Sequence, residues 1–302
     1  MRCVLAADGS LAAPALAFLA STGRLAAAAW GRSEPECAAW AAATCGSGGR
    51  PFLEVGEPGA LEAWVAGLDV DLGIAFGCPW RLSAEVLARP RLGWINLHGG
   101  PLPAYRGPQP LFWQLRNREP EASLVAHRMD EGLDTGPVLA SLPVPLGPFM
   151  THGALAQALS QLAPALLEPL LRELSAEGQA RLDRATPQGE GRTWPRPGPE
   201  DVRIRWDLQG AADVDALVRA CNPWNAGAWT TLQGQPCRLV EVSPAGPLEG
   251  PPGLIHLDGH QGLTVSCRDG LGLRVEVLRL EGGFFSGPRL GALGLPGGAR
   301  FV

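Results

Sequence analysis

The first 145 or so residues alternate short apolar runs with amphipathic segments of helical length. Runs such as Leu25–Trp30 and Leu72–Phe76 show no polar alternation, so they predict strands that are buried on both faces. Strands and helices in alternation predict an α/β domain whose mostly parallel sheet is covered by helices. Sites in such sheets lie beyond the carboxyl ends of the strands. No glycine-rich dinucleotide fingerprint follows the first strand, so neither a nicotinamide nor a flavin cofactor is expected.

The segment at residues 93–139 carries the polar groups best suited to chemistry. Its predicted strand includes Asn96 and leads into His98, and a spacing of two places both side chains on the same face. A loop rich in glycine and proline follows, and Asp134 lies in a second loop. A converging amide, imidazole and carboxylate suit attack by an amine on a carbonyl carbon. The amide can donate to the developing oxyanion, and the carboxylate can orient the imidazole or take the proton of the amine.

The same segment resembles the formyltransferases that use 10-formyltetrahydrofolate. Their signature is an Asn-x-His pair, a proline-rich loop that ends in aromatic-Arg-Gly, and a distant Asp-Thr-Gly turn. Here the corresponding residues are Asn96 and His98, then Tyr105-Arg106-Gly107, then Asp134-Thr135-Gly136. The resemblance implies that Asn96, His98 and Asp134 are catalytic.

The resemblance also implies where the two substrates bind. The folate donor lies along the turn after the fourth strand and against the Asp134 loop, and the acceptor enters beside the proline-rich loop. The implied donor residues are Phe76, Gly77, Pro79, Trp80, Arg81, Leu82, Met129, Asp130 and Glu131, and the implied acceptor residues are Gly100, Tyr105 and Arg106.

Several candidates also have an ordinary structural interpretation. Asp134 suits a turn, and a lone buried histidine such as His98 is more often a core residue, but the combination favours catalysis. For Arg81, a pocket residue and an exposed charge at a helix start are equally supported. His127 lies in a strand of its own and is interpreted as structural or as a support of the site. His256 and His260 are four apart without an evident third ligand, so no metal is predicted.

The 302 residues are long enough for two domains. We predict a catalytic domain at 1–180, a linker at 181–203 that is rich in Gly, Pro and Arg, and a second domain at 204–302. Five short β-like runs, at 228–232, 237–242, 253–257, 263–267 and 273–278, predict a small barrel or open sheet. This half is similar to the second domain of methionyl-tRNA formyltransferases, and the resemblance implies a Rossmann-like domain followed by an OB-like barrel.

Composition narrows the class of protein further. Hydrophobic residues make up 46% and charged residues 18%, which is typical of a globular chain. All 25 basic residues are arginine, so a lysine nucleophile or Schiff base is excluded. Seven cysteines without a CxxC pair predict reduced thiols in a cytoplasmic protein. No apolar run reaches the ~20 residues of a membrane span, and none is predicted.

Two departures from the family pattern bear on the acceptor. The serine that usually follows His-x in the loop is Gly100 here. The region 31–50, where methionyl-tRNA formyltransferases carry a basic loop that grips tRNA, has Arg32 and Arg50 but also Glu34 and Glu36. A net charge of −5 gives no general attraction to nucleic acid.

We therefore expect transfer of a formyl group from 10-formyltetrahydrofolate to the primary amine of a small or carrier-bound acceptor, such as an amino sugar, an amino acid or a biosynthetic intermediate. Initiator methionyl-tRNA is the second candidate acceptor. A hydrolase that releases formate and a non-catalytic folate-binding protein are the alternatives from other classes.

Overall fold

The computed structural model describes residues 1–258, 262–291 and 293–302, and His260 lies outside them. The chain divides into two compact units. The first comprises Met1–Pro110, Glu121–Pro145 and Ala156–Trp194, and the second comprises Leu111–Pro120, Leu146–Leu155 and Pro195–Val302. The domain boundaries placed at 180 and 204 from the sequence stay a prediction.

The helices and strands follow the predicted alternation in the first half of the chain. The strands are β1 Cys3–Ala7, β2 Leu25–Trp30, β3 Phe52–Glu54, β4 Leu72–Phe76, β5 Trp94–His98, β6 Glu121–Arg128, β7 Val138–Pro145, β8 Ala228–Leu232, β9 Gln235–Pro247, β10 Ile255–Asp258, β11 Gly262–Ser266, β12 Leu271–Leu280 and β13 Gly283–Ser286. The helices are α1 Ala13–Ser21, α2 Pro35–Ser47, α3 Pro58–Ala66, α4 Ala84–Ala88, α5 Pro110–Arg116, α6 His152–Glu177, α7 Gln179–Asp183, α8 Ala211–Cys221 and α9 Pro288–Gly291.

The first unit contains a seven-stranded sheet in the order β3-β2-β1-β4-β5-β6-β7. Strands β1 to β5 run parallel, whereas β6 and β7 pair antiparallel, so the predicted mostly parallel α/β sheet is confirmed. Every residue of β1 and β4 is buried, as continuous apolar runs require. Strands β2 and β3 lie on one side of β1, and the chain then crosses to the other side, where β4 and β5 follow. Strand β5 therefore lies in the interior of the sheet.

Packing of one tryptophan fixes the strand that carries the candidate site. Trp94 at the start of β5 is fully buried, and its Nε1 donates to the backbone carbonyl of Val86 at 2.8 Å. A Cβ on Gly73 of β4 would lie 2.0 Å from the Trp94 ring, so only glycine fits beside it. Ser83 is the N-cap of the preceding helix α4, and its hydroxyl accepts from the backbone N–H of Val86.

The second unit contains a six-stranded antiparallel sheet, in which β10-β11-β12-β9-β8 form one path and β13 pairs with β12. The five strands predicted from the sequence are all present, and Gly283–Ser286 adds a strand that the sequence analysis did not predict. Trp206 stacks on Phe301 with ring centroids 5.7 Å apart, and its Nε1 donates to Thr230. The α/β unit and the antiparallel unit agree with the predicted fold class.

In the described parts of the chain, every helix is too short or too polar to span a membrane.

Candidate active site

The three predicted catalytic residues lie on the first unit, where β5 ends. Asn96 and His98 are on β5, and Asp134 lies in the loop between β6 and β7. Strand β6 returns antiparallel beside β5 and places His127 directly opposite Asn96. Asp134 has a φ of 55°, a left-handed backbone conformation that a non-glycine residue adopts only when its surroundings hold it there.

The Asp134 carboxylate is the point on which the other groups converge. Its Oδ1 accepts a hydrogen bond from Asn96 Nδ2 at 3.2 Å and lies 3.4 Å from His127 Nε2. Its Oδ2 accepts from the backbone N–H of Gly107 at 2.9 Å and lies 3.5 Å from His98 Nδ1. The structure therefore brings Asn96, His98 and Asp134 together, as the sequence predicts.

The protons on the two histidines follow from their backbone partners, since a carbonyl oxygen can only accept. His98 Nε2 lies 2.6 Å from the carbonyl of Tyr105, so this nitrogen carries a hydrogen. His127 Nδ1 lies 2.9 Å from the carbonyl of Arg128 and carries a hydrogen for the same reason. In neutral His127 the other nitrogen, Nε2, is then an acceptor, and it lies 3.2 Å from Asn96 Nδ2. The Asn96 amide thus donates to both Asp134 and His127.

Burial and hydrogen bonding set the charges of these groups. Burial alone would raise the pKa of Asp134, but the surroundings of the carboxylate, namely His127, His98 and the Gly107 N–H, outweigh it and lower the pKa to about 2. Burial lowers the pKa of His98, although Asp134 opposes this shift. Asp134 is 8% exposed and His98 is 5% exposed, whereas Asn96 is only partly buried. At neutral pH the site therefore pairs a buried carboxylate with a neutral imidazole and an accessible amide.

His127, interpreted from the sequence as structural or as a support of the site, lies against two of the candidate catalytic residues. It is 2% exposed and contacts both Asn96 and Asp134. In an antiparallel pair of strands, the numbers of opposite residues sum to a constant. With β6 predicted to return antiparallel beside β5, this rule could have placed His127 opposite Asn96. The sequence analysis did not predict that β6 reverses direction, so His127 could not be placed next to Asn96.

The predicted folate residues form two loops beside the catalytic groups. Trp80 and Met129 pack partly buried against the apolar core that includes Leu82 and Trp94. Arg81 is exposed, and its Nη2 donates to the carbonyl of Glu131 at 2.7 Å, so it joins one loop to the other.

The remaining predicted folate residues lie in the same two loops or, for Phe76, at the end of the strand before the first loop. Phe76 is buried at the end of β4, Gly77 follows with a φ of 63°, and Pro79 is exposed. Asp130 Oδ1 accepts from the Gly132 N–H and from the Thr135 hydroxyl. A flat heterocycle needs apolar walls and a polar rim, and the residues present fit that requirement. Their role in donor binding stays a prediction.

The three predicted acceptor residues lie in the proline-rich loop. Gly100 is buried, and the buried ring of Tyr105 stacks on Trp194 with centroids 5.6 Å apart. Arg106 donates from Nε and Nη2 to Gln188 Oε1, at 3.0 and 2.9 Å. The guanidinium is thus engaged within the protein, and an acceptor role for these residues stays a prediction.

The described residues contain neither a cluster of metal ligands nor a reactive thiol near the folate loops. No group of three or more His, Cys, Asp or Glu side chains lies close enough there to hold a metal ion. Cys78 is near the folate loops, but burial raises the pKa of its thiol to about 12. Its side chain is partly buried and packs against the apolar core.

The sequence matches two segments described for one family: "Formyl transferase" at residues 57–170 and "Formyl transferase, C-terminal domain" at residues 198–285. A methionyl-tRNA formyltransferase of Sorangium cellulosum is 34% identical over 226 residues, which cover 73% of this chain and 70% of that protein. A methionyl-tRNA formyltransferase of Geobacter metallireducens is 35% identical over 238 residues, covering 78% and 74%.

Solved structures share the fold at lower identity. A Helicobacter canadensis N-formyltransferase, in complex with folinic acid and dTDP-3-aminofucose, is 12% identical with a TM-score of 0.68 and covers 93% of this chain and 99% of that one. HypX from Aquifex aeolicus with tetrahydrofolic acid is 20% identical with a TM-score of 0.63, covering 93% and 44%. The family segments, the relatives above 30% identity and the assembled amide, imidazole and carboxylate agree: the chain belongs to the formyltransferase family and is an enzyme of that family.

Proposed function

We propose that the chain transfers the formyl group of 10-formyltetrahydrofolate to the primary amine of a small or carrier-bound acceptor. The observation that carries the chemistry is the ionised, buried Asp134, which is bonded to Asn96 and faces His98. A carboxylate in such surroundings is fixed in place and available as a proton acceptor. The formyl carbon of the donor gains a bond to the amine nitrogen as its bond to the folate nitrogen breaks, and the proton lost by the amine passes to that folate nitrogen, which leaves as tetrahydrofolate.

Each residue has a separate task in this proposal. Asn96 is the most accessible of the three, and one of its amide N–H groups would turn from Asp134 or His127 to stabilise negative charge on the formyl oxygen. Asp134 accepts or relays the proton that the amine loses. His98 is held by the Tyr105 carbonyl on Nε2 and presents Nδ1 to Asp134, so it can share that proton. Trp80, Met129 and the rims of both loops would hold the pterin of the donor.

The preference for a small or carrier-bound acceptor rests on the region 31–50. Its two basic residues are both engaged within the protein. Arg32 pairs with Glu54 at 2.6 Å, and Arg50 donates to the carbonyls of Leu25 at 3.1 Å and Ala20 at 3.3 Å. Asp8 also lies beside this region and accepts from Ser33. A phosphate backbone would therefore meet few available positive charges there.

Initiator methionyl-tRNA is the second candidate acceptor. The names of the relatives above 30% identity favour it, and both family segments are present in this chain. The second unit also has an open groove of about 1150 Å³, whose lining includes Trp224, Trp229, Arg238 and Arg279.

The test is a screen of amines with 10-formyltetrahydrofolate that follows tetrahydrofolate release and the mass of the product. Amino sugars, amino acids, a carrier-bound amine and charged initiator tRNA belong in one panel, with Asp134→Asn as the inactive control. Formylation of a small amine at rates far above that of tRNA supports the proposal. Formylation of tRNA alone, with rates that fall steeply as salt rises, moves the assignment to the second candidate. Formate release without any amine would identify a hydrolase.

A further inference from the structure

The segment at residues 186–194, predicted to be part of a linker, packs along both loops of the candidate active site. It pairs with the proline-rich loop through Arg106 N–H to the Arg192 carbonyl at 3.1 Å and Trp194 N–H to the Arg106 carbonyl at 2.8 Å. At its other end Thr186 exchanges two backbone hydrogen bonds of 2.8 Å with Val138 on β7. Residues 186–194, which we call the strap, are therefore anchored at both ends within the first unit.

Gln188 is the strap residue that reaches the Asp134 loop. Its Nε2 donates to the carbonyl of Asp134 at 3.0 Å and to the carbonyl of Gly136 at 2.6 Å. Its Oε1 accepts two hydrogen bonds from Arg106, at 3.0 and 2.9 Å. The two N–H donors and both lone pairs of the amide are thus all used, which fixes the orientation of the side chain.

The two ends of the Gln188 amide hold two segments that meet at the Asp134 carboxylate. Its nitrogen binds the backbone of the Asp134 turn, and its oxygen binds Arg106. Asp134 keeps its left-handed backbone while Gln188 holds the carbonyls on either side of the turn. Arg106 directly precedes Gly107, whose N–H binds Asp134 Oδ2 at 2.9 Å. Gln188 therefore links the backbone of Asp134 to the loop that supplies a hydrogen bond to its carboxylate.

Resting on the proposed function, we propose that Gln188 is a positioning residue for formyl transfer. It does not touch the reacting atoms. It sets the backbone of Asp134 so that the carboxylate faces Asn96, His98 and the Gly107 N–H at once. The positioning requires the side-chain amide of Gln188. A carboxylate of the same shape could accept from Arg106 but could not donate to the two carbonyls of the Asp134 turn.

Two substitutions separate the donor function of Gln188 from its contact with Arg106. Gln188→Met keeps the length and loses every hydrogen bond, whereas Gln188→Glu keeps the acceptor for Arg106 and loses both donors. If the amide positions Asp134, both variants lose about 10- to 100-fold in kcat, with KM for 10-formyltetrahydrofolate changed by less than about twofold. The acidic limb of the kcat profile should move to higher pH in both, because a displaced carboxylate loses the hydrogen bonds that lower its pKa.

Controls make each outcome decisive. Glu190→Met places the same new side chain on an exposed strap residue and should leave kcat and the pH profile unchanged. Binding of tetrahydrofolate, followed by calorimetry, reports how much of each variant is folded, and kcat is calculated on that fraction. Wild-type turnover together with normal kcat in Gln188→Glu overturns the positioning role and leaves only an anchor for Arg106. Absence of wild-type turnover with every amine contradicts the proposed function instead. If Gln188→Met does not fold, Gln188→Glu alone decides between the two results.

Discussion

Asn96 and His127 face each other across the antiparallel pair of β5 and β6, and Asn96 Nδ2 lies 3.2 Å from His127 Nε2. The same Asn96 nitrogen lies 3.2 Å from Asp134 Oδ1. A neutral His127 therefore takes one of the two amide hydrogens that Asn96 can offer. The availability of the proposed oxyanion donor thus depends on a histidine next to it.

His127→Leu is expected to reduce kcat about 10- to 100-fold, because the amide of Asn96 loses one of the contacts that orient it. Loss of the hydrogen bond from the partly buried amide should also reduce the free energy of unfolding by about 0.5 to 1.5 kcal/mol. His127→Gln, which keeps a polar acceptor near the same position, should retain more activity than the leucine variant. Steady-state kinetics and urea unfolding of both variants test this, and equal kcat in both would contradict the role given to Nε2.

Asp134→Asn is expected to destabilise the protein in a way that depends on pH. The pKa of Asp134 lies at about 2, below its ordinary value of 3.8, so the folded state favours the carboxylate more than the unfolded chain does. The contribution is about 2 kcal/mol, is fully present above about pH 4, and is lost as the pH falls through 2.

Urea unfolding at pH 7 and at pH 3 should therefore show a larger stability difference between wild type and Asp134→Asn at pH 7. Asp69→Asn is the matched control, since its carboxylate is 94% exposed and pairs with Arg2 only at the surface. A stability difference for Asp134→Asn that does not change between the two pH values would be inconsistent with the depressed pKa.

His98→Gln should make stability less sensitive to mild acid. Burial lowers the pKa of His98 from its ordinary 6.5, so the unfolded chain takes up a proton below pH 6.5 while the folded protein resists it. Stability contributed by neutral His98 is thus present above pH 6.5 and is lost as the pH falls toward the folded pKa.

The measurement compares the free energy of unfolding at pH 7.5 and pH 5 in wild type and His98→Gln. The wild type should lose more over that interval, although His152, whose pKa burial lowers to about 4, contributes the same trend to both proteins. Parallel losses in the two proteins would show that His98 does not titrate as the burial argument requires.

The sequence predicted the three candidate catalytic residues better than it predicted the residues that contact them. Asn96 and His98 could be placed because strand periodicity and a buried run determine which face they share. Asp134 was placed by its turn and by the family resemblance. His127 was interpreted as structural or as a support of the site, but its neighbours could not be predicted. They depend on the direction of β6, and local periodicity is the same for parallel and antiparallel strands.

Gln188 was missed for a different physical reason. Its segment is rich in Gly, Pro and Arg, a composition that predicts a linker, and nothing local in the sequence indicates that it will pair with residues about 80 positions earlier. The sixth strand of the second unit was also missed, since Gly283–Ser286 has two glycine residues just before or at its start. For His127 and Gln188, the contacts join residues far apart in the sequence, which periodicity and turn chemistry do not encode.

Gly107→Ala is expected to impair both stability and catalysis. Gly107 has a φ of +114°, and a Cβ there would lie 2.1 Å from the carbonyl oxygen of Trp194, which is backbone and cannot rotate away. The strap or the loop must shift, and either movement displaces the N–H that binds Asp134 Oδ2. We expect a loss of about 2 kcal/mol or more in the free energy of unfolding and at least about tenfold in kcat.

Gly189→Ala is the matched control, because it lies on the same strap with open space around the position of its Cβ and without a left-handed φ. Its stability and kcat should remain near those of the wild type, since alanine there meets no atom within 4 Å. Thermal unfolding and steady-state kinetics of the two variants provide the comparison. If Gly107→Ala is tolerated as well as Gly189→Ala, the close approach of the strap to the proline-rich loop has no energetic consequence.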